Sequence, residues 1–338
     1  MKNSHYSVVK RQPISLSPIE FIESGCFEGA GTYPLLIRPT SSYVDSCSWI
    51  QSNRDVLETE LLQHGAILFR DFRINGVSAF QEFAAAVCPE LFDEYGDLPR
   101  QAKGAKVYCA TPYPADRMIF FHNESSHMHR WPRKIMFHCA ISPEQGGETP
   151  LVDVRQVYKL LRPELRSQFE EKGLKYVRNF NEGLDVSWRE FFRVREPHEA
   201  EKACQAAKLY YKWKTDGGLR TEKLSKAIAT HPQMNESVFF NQILVHHIAC
   251  LDAETRKNLL AVFPERDVPR NVYFGDGSRI DDAVIAEIQE IFRRLTVSFR
   301  WQEGDVLLVD NMLTAHARNP YRGAREILVA MGEMISDA

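Results

Sequence analysis

The sequence predicts a mainly β chain, a sandwich or barrel, with helices flanking the strands and a helical insertion between them. Three observations carry this. From Lys106 onward short apolar runs dominate, cut repeatedly by Gly, Pro and Asn. Helical periodicity is confined to a few separate stretches. No tract rich in Gly, Ser or Pro divides the chain, and no repeat of roughly 20–50 residues is visible, so a single domain over residues 1–338 is expected.

After an N-terminal segment of about 1–49, Ile50, Val56, Leu57, Leu61 and Leu62 fall near helical spacing over 50–64. Gly65 reads as the end of that helix, and residues 66–71 as a short buried strand behind it. Residues 77–91 are helical again. The runs at 118–121, 135–140, 238–240, 297–301, 306–309 and 327–331 read as strands. The stretch from about 153 to 230 differs: it is charged, helical in period, and carries Trp188 and Trp213. It reads as an insertion between strands that can serve as a lid, with one more helix over 281–294.

Composition narrows the function. Hydrophobic residues make up 44% of the chain and charged ones 26%, as in an ordinary globular protein. A net charge of −3 gives no bulk attraction to nucleic acid or to anionic membranes. The seven cysteines (26, 47, 88, 109, 139, 204 and 250) include no pair two residues apart, which argues against a zinc ribbon or redox motif. Their odd number fits reduced thiols. Residues 1–5 lack the apolar stretch of a signal peptide and no run approaches membrane-spanning length, so a cytoplasmic location is expected.

The chemistry begins at His122-Asn123-Glu124. In a strand, residues i and i+2 share a face, so this imidazole and carboxylate can reach one metal ion. With 11 histidines and 45 acidic residues in 338 positions, roughly one or two such pairs arise by chance, so the strand rule alone decides little. Company raises its weight. Residues 304–311 read as turn, strand and turn, with His316 close behind. Two histidines and a carboxylate leave three sites of an octahedral iron open for a bidentate ligand and dioxygen, although zinc accepts the same set. Arg325, nine residues after His316, can fork onto a buried carboxylate. Gly146-Gly147-Glu148-Thr149-Pro150 adds a tight turn and a hydroxyl donor. Arginine and hydroxyl converging on one carboxylate is what 2-oxoglutarate needs.

In this order, His122-Asn123-Glu124, Gly146-Gly147-Glu148-Thr149, Asp310-Asn311, His316 and Arg325, the chain resembles the taurine dioxygenase (TauD/TfdA) family of iron(II)/2-oxoglutarate oxygenases. Trp131-Pro132, Val177-Arg178-Asn179-Phe180, Ser187-Trp188, Leu219-Arg220-Thr221, His231-Pro232 and Phe239-Phe240-Asn241-Gln242 bring it nearest the branch found in nonribosomal-peptide pathways, including the syringomycin-type aspartyl hydroxylases. The resemblance runs over roughly 60–334. It implies a double-stranded β-helix (jelly-roll, cupin-like) core and iron ligands His122, Glu124 and His316. It also implies that Thr149 and Arg325 hold the distal carboxylate of 2-oxoglutarate, and that dioxygen is the second cosubstrate. The implied reaction couples decarboxylation of 2-oxoglutarate to oxidation of an amino-acid-like substrate, free or tethered to a peptidyl carrier protein, in antibiotic biosynthesis or a related pathway. Hydroxylation is expected, with desaturation or epoxidation sharing the first steps. The taurine enzyme has a second arginine four residues past its cosubstrate arginine; here Val329 stands there, which argues against a sulfonate substrate.

Asn241 falls where this branch places a polar group near substrate. His127 and His129 read as loop residues beside the mouth, His127 within reach of substrate. Adjacent His246 and His247, if on a strand, would face opposite ways, so only one would point inward. Arg130, Arg133 and Lys134 form a local basic patch, as do Lys202, Lys208, Lys212, Lys214 and Lys223, either solvated faces or a docking surface for an acidic carrier. Two rivals remain. A zinc-dependent hydrolase would share the triad but have no use for Thr149 and Arg325, and a non-catalytic binding module would be expected to lack a ligand.

Overall fold

The strands of the core form two sheets that face each other. In the computed structural model, residues 21–25, 27, 33–92, 102–104, 106–110, 113–181 and 186–336 are described. The larger sheet runs, in spatial order, Ile22–Gly25, Leu35–Pro39, Ala66–Phe69, Val306–Asp310, Arg130–Ile141, Glu326–Ser336, Val107–Cys109 and Ala102–Gly104. Only the second and third of these are parallel neighbours. The smaller sheet sets Thr314–Arg318 between Ile119–His122 and Leu151–Asp153, both antiparallel to it. This is the double-stranded β-helix.

The period of two decides what each face of the larger sheet does. Leu68, Ile135, Phe137, Leu307, Val309, Ile327 and Val329 face the smaller sheet in one buried cluster. Ile67, Phe69, Met136, Val306, Leu308, Leu328 and Ala330 face the other way, onto the helices Ser46–Ser52, Arg54–His64 and Gly76–Val87. Both faces are covered, so the central strands read as continuous apolar runs rather than as alternation. Burying each such side chain is worth about 1.5–3 kcal/mol.

The helix expected over 50–64 is two helices meeting at Asn53, whose side chain donates to the Trp49 carbonyl. Asp45 caps the first, accepting from the Ser48 amide at 2.8 Å. Gly65 ends the second at φ +72°, where an added Cβ would stand 2.9 Å from Thr314 Oγ1. Backbone conformation and close approach both require glycine there. Asp282–Leu295 buries Val284, Ile285, Ile288, Ile291 and Phe292, one helical stripe, and Phe292 meets Phe121 at 5.3 Å beside His122.

Three expectations need correction. The 153–230 stretch is not wholly helical. Its described residues hold four helices, but Leu174–Phe180, Tyr210–Trp213 and Leu219–Ser225 form a four-stranded sheet with Arg270–Phe274. Its charged strands alternate too weakly in hydropathy to show from sequence. The run 297–301 is no strand: Val297 makes an isolated bridge to Leu151, while Phe299 and Trp301 fill the core between the sheets. The run 238–240 shrinks to Ser237–Val238. The six described cysteines are all unbridged, and Cys26 lies outside the described residues.

Candidate active site

His122 ends the strand Ile119–His122, and its register partner on the neighbouring strand is His316. Directly opposed residues of an antiparallel pair share a face, and the two rings lie 4.4 Å apart between centroids. Glu124 reaches the same point differently from the expectation. It is not two residues along a strand but in the turn that follows, which bends at Ser125 with φ +55°. Asn311 holds that turn: its Oδ1 accepts from the Glu124 amide at 2.7 Å, and its Nδ2 donates to the carbonyls of Glu124 and Pro132, each at 2.9 Å. Asn123 closes the clamp by donating to the Asn311 carbonyl at 2.6 Å. Asn311 is wholly buried.

One ligand atom from each of His122, Glu124 and His316 lies within 4.8 Å of the other two, so the three could hold a metal ion. The His122 Nδ1 sits 2.8 Å from the Phe120 carbonyl, which fixes the ring and presents Nε2 to the site. Two imidazoles and a carboxylate suit a divalent transition metal such as iron(II).

All three line one cavity of about 460 Å³, together with Thr149 and Arg325. Arg325 stands just before the strand Glu326–Ser336; its Nε donates to the Gly147 carbonyl at 2.9 Å and its guanidinium lies over the Tyr321 ring. Gly147, at φ +71°, makes room for it: an added Cβ would lie 3.0 Å from the arginine's Cδ. No carboxylate among the described residues forms an ion pair with Arg325. Burial, with Arg318 adding to it, pushes its pKa down to about 10. It therefore stays charged at neutral pH and is suited to an incoming anion. Thr149 Oγ1 accepts from Trp301 Nε1 at 3.2 Å, which leaves its own proton to donate.

The remaining predicted residues are placed less simply. Asn241 spends its side chain on backbone, donating to the Ala227 carbonyl at 3.0 Å and accepting from the Ile243 amide at 3.1 Å. It is buried and the neighbouring Gln242 lines the cavity instead. His127 is buried outside the lining, its ring 5.4 Å from Tyr176 and 5.1 Å from His246. His246 and His247 both line the cavity, because they end and follow the short helix Ile243–His246 rather than sit on a strand. The basic patch dissolves: Arg133 and Lys134 are buried, paired with Glu58 and Glu333, and only Arg130 is exposed. Lys223 is buried as well.

Sequence reasoning gave no role to Asn311, Arg178, Arg270 or Arg318. The last three line the cavity. Arg178 was legible as the arginine on the apolar side of Leu174, Tyr176 and Phe180, and Asn311 had no signal beyond its place in a turn.

A double-stranded β-helix with two histidines, a carboxylate and a half-buried arginine around one cavity is the architecture of a mononuclear metal oxygenase. The family described as taurine catabolism dioxygenase TauD, TfdA family matches residues 36–331, and the chain belongs to it. It is an oxidoreductase, a dioxygenase dependent on iron(II), 2-oxoglutarate and dioxygen. That removes the zinc hydrolase and the non-catalytic module. The dapdiamide synthesis protein DdaC of Enterobacter agglomerans is 35% identical over 272 residues, 80% of this chain and 83% of that protein. A clavaminate synthase-like protein of Arabidopsis thaliana is 31% identical over 297 residues, 83% and 86%. A taurine dioxygenase from Burkholderia xenovorans shares the fold at TM-score 0.55 and 15% identity, over 94% of this chain and 95% of that one. So does PvcB of Pseudomonas aeruginosa at TM-score 0.55 and 12% identity, over 94% and 92%. No helix among the described residues is long and apolar enough to cross a membrane.

Proposed function

We propose that this dioxygenase hydroxylates an amino acid or a molecule derived from one, with His122, Glu124 and His316 holding the iron and Thr149 and Arg325 binding the distal carboxylate of 2-oxoglutarate. The observation that carries the reading is the meeting, in one cavity, of a ligand triad within 4.8 Å and a half-buried arginine that forms no ion pair with a carboxylate among the described residues. When bound, iron(II) with 2-oxoglutarate and dioxygen supplies oxidation of an unactivated C–H bond, 2-oxoglutarate leaving as succinate and carbon dioxide. The protein supplies position and dryness. Arg325 and Thr149 orient the cosubstrate, Asn311 keeps Glu124 turned inward, and Phe137, Ile327 and Val329 give the cavity an apolar wall.

Substrate contact falls to Gln242 and His246, which line the cavity, in place of Asn241 and His127. Gln242 donates to the Asn123 carbonyl at 3.0 Å and meets His246 Nε2 at 3.1 Å, so it ties the substrate wall to the metal turn. Desaturation or epoxidation would use the same residues on a different substrate. The similarity to a dapdiamide synthesis protein supports a biosynthetic role, such as antibiotic biosynthesis. A peptidyl carrier protein as donor is a second reading, supported by exposed Lys202, Lys208, Lys212 and Lys226. One oxygenase domain acting in the cytoplasm fits both.

The test is anaerobic addition of iron(II) and 2-oxoglutarate, watched for a visible charge-transfer band, followed by an amino-acid screen for succinate in air. The band and substrate-dependent succinate are expected. No band at saturating iron and 2-oxoglutarate would sink the assignment.

A further inference from the structure

Two arginines of the cavity wall share one aromatic ring. Arg318 closes the strand Thr314–Arg318, two residues past His316, and Arg325 stands just before the strand Glu326–Ser336. Both line the cavity. The centroid of the Tyr321 ring lies 5.3 Å from the Arg318 guanidinium and 5.4 Å from that of Arg325. An aromatic face attracts a cation, so a ring shared by two holds them near each other. Neither forms an ion pair with a carboxylate among the described residues. Glu148 bears on Arg325 less than Arg318 does, and its carboxylate accepts from Asn319 Nδ2 at 2.9 Å.

The contacts of Arg318 do not cancel its charge. Its Nη1 donates to the Tyr113 carbonyl at 2.9 Å, and its Nη2 to the carbonyls of Pro114 and Arg117, each at 2.5 Å. Carbonyl oxygens satisfy N–H groups but carry no net charge. The Arg318 Nε is buried and meets no acceptor among the described residues. The residue is 7% exposed, and burial pulls its pKa down. The two cations also repel: after burial, Arg318 is the largest influence holding the pKa of Arg325 low. A buried charge is costly unless something offsets it, and one anion entering the cavity offsets both.

Resting on the reading of Arg325 as partner of the distal carboxylate of 2-oxoglutarate, we propose that Arg318 is a second cation for that carboxylate. It acts through its charge across the Tyr321 ring, while Arg325 makes the direct contact. Between low-dielectric walls a charge several ångströms away still counts, because little water screens it. The cavity is thereby tuned to a 2-oxo acid with two negative charges, and a monoanionic one gains less from the pair. Were Arg318 only a staple for residues 113–117, its loss would weaken both kinds of ligand alike.

The test titrates iron(II)-loaded protein anaerobically, by calorimetry, with 2-oxoglutarate and with its 5-methyl ester. The ester keeps the 2-oxo carboxylate and lacks the distal charge. Arg318→Gln should lower the preference for 2-oxoglutarate over the ester by about tenfold, a difference of about 1.4 kcal/mol. Equal weakening of both ligands in that variant, or no change in either, overturns the proposal. Should Arg318→Gln fail to fold, Arg318→Lys decides the matter. It keeps the charge and loses the planar fork onto the loop carbonyls, so the preference should survive, and its loss overturns the proposal. Arg325→Gln distinguishes the two assignments. A preference that falls in Arg325→Gln but not in Arg318→Gln removes Arg318 alone. A preference that falls in Arg318→Gln but not in Arg325→Gln overturns the reading of Arg325 and leaves Arg318 as the cation of the site.

Discussion

Each side chain around the cavity has a separate task, and the tasks predict different losses. His122→Ala, Glu124→Ala and His316→Ala should each abolish substrate-dependent succinate formation while circular dichroism stays native, since each removes one of three ligand atoms. Two of the three retaining full turnover would remove the metal assignment. Arg325→Gln should weaken 2-oxoglutarate binding by about 2–5 kcal/mol, the cost of leaving a buried carboxylate without its cation. Thr149→Val should cost about 1–3 kcal/mol, since it also strands the Trp301 Nε1 donor. A titration followed by the charge-transfer band measures both, and an unchanged curve for Arg325→Gln would refute its role. Asn311 touches no ligand atom but fixes the backbone of Glu124. Asn311→Ala should lower iron affinity by about 10–100-fold, as loss of an outer hydrogen-bonding partner does. Native iron affinity measured by competition with a chelator would exclude that positioning role.

At the scale of elements, the loop that follows the helix Ile243–His246 depends on a neutral histidine. His247 accepts from the Ala249 amide at 3.1 Å and so caps the turn Ile248–Cys250. Burial pushes its pKa down to about 4 from an ordinary 6.5. Between those values the unfolded chain binds the proton and the folded chain does not. Stability therefore falls as pH drops from 6.5 through 4, by up to about 3 kcal/mol at about 1.36 kcal/mol per unit. Urea midpoints for wild type should fall more steeply over this range than those of His247→Gln. Parallel curves would show that His247 is not the titrating group.

Across the whole molecule, buried charges tie the outer helices to the sheets. Arg133 donates to Glu58 on the helix Arg54–His64 and to Glu333 on the strand Glu326–Ser336, and its Nη1 lies 3.7 Å from Asp310. Asp310 in turn meets His231 at 3.2 Å and precedes Asn311, so the network runs from the surface helix to the clamp on Glu124. Arg133→Met should destabilise the protein by about 3 kcal/mol, the low end for a broken buried pair, because Glu58 and Glu333 keep some water. The urea midpoint reads this directly, and a shift under a third of that size would mark the network as incidental.

The sequence by itself determined the strand-rich class, the helix ending at Gly65 and the helix near 281–294, because period and turn chemistry are read within a few residues of one another; it offered the candidate triad only as short motifs in order along the chain. It also carried the family. What only the tertiary structure decided involves partners far apart in the chain. The register that sets His122 against His316, the Asn311 clamp that turns Glu124 inward without a strand, and the pairing of Arg178 with Arg270 all join segments that no local pattern connects. The same reason explains the misreadings. Arg133 and Lys134 look like a solvated patch until Glu58 and Glu333 arrive from elsewhere in the chain. Asn241 looks like a substrate contact until the backbone of Ala227 and Ile243 takes up its amide. Burial and pairing of a charge are properties of what packs against it, and a linear pattern carries only the charge.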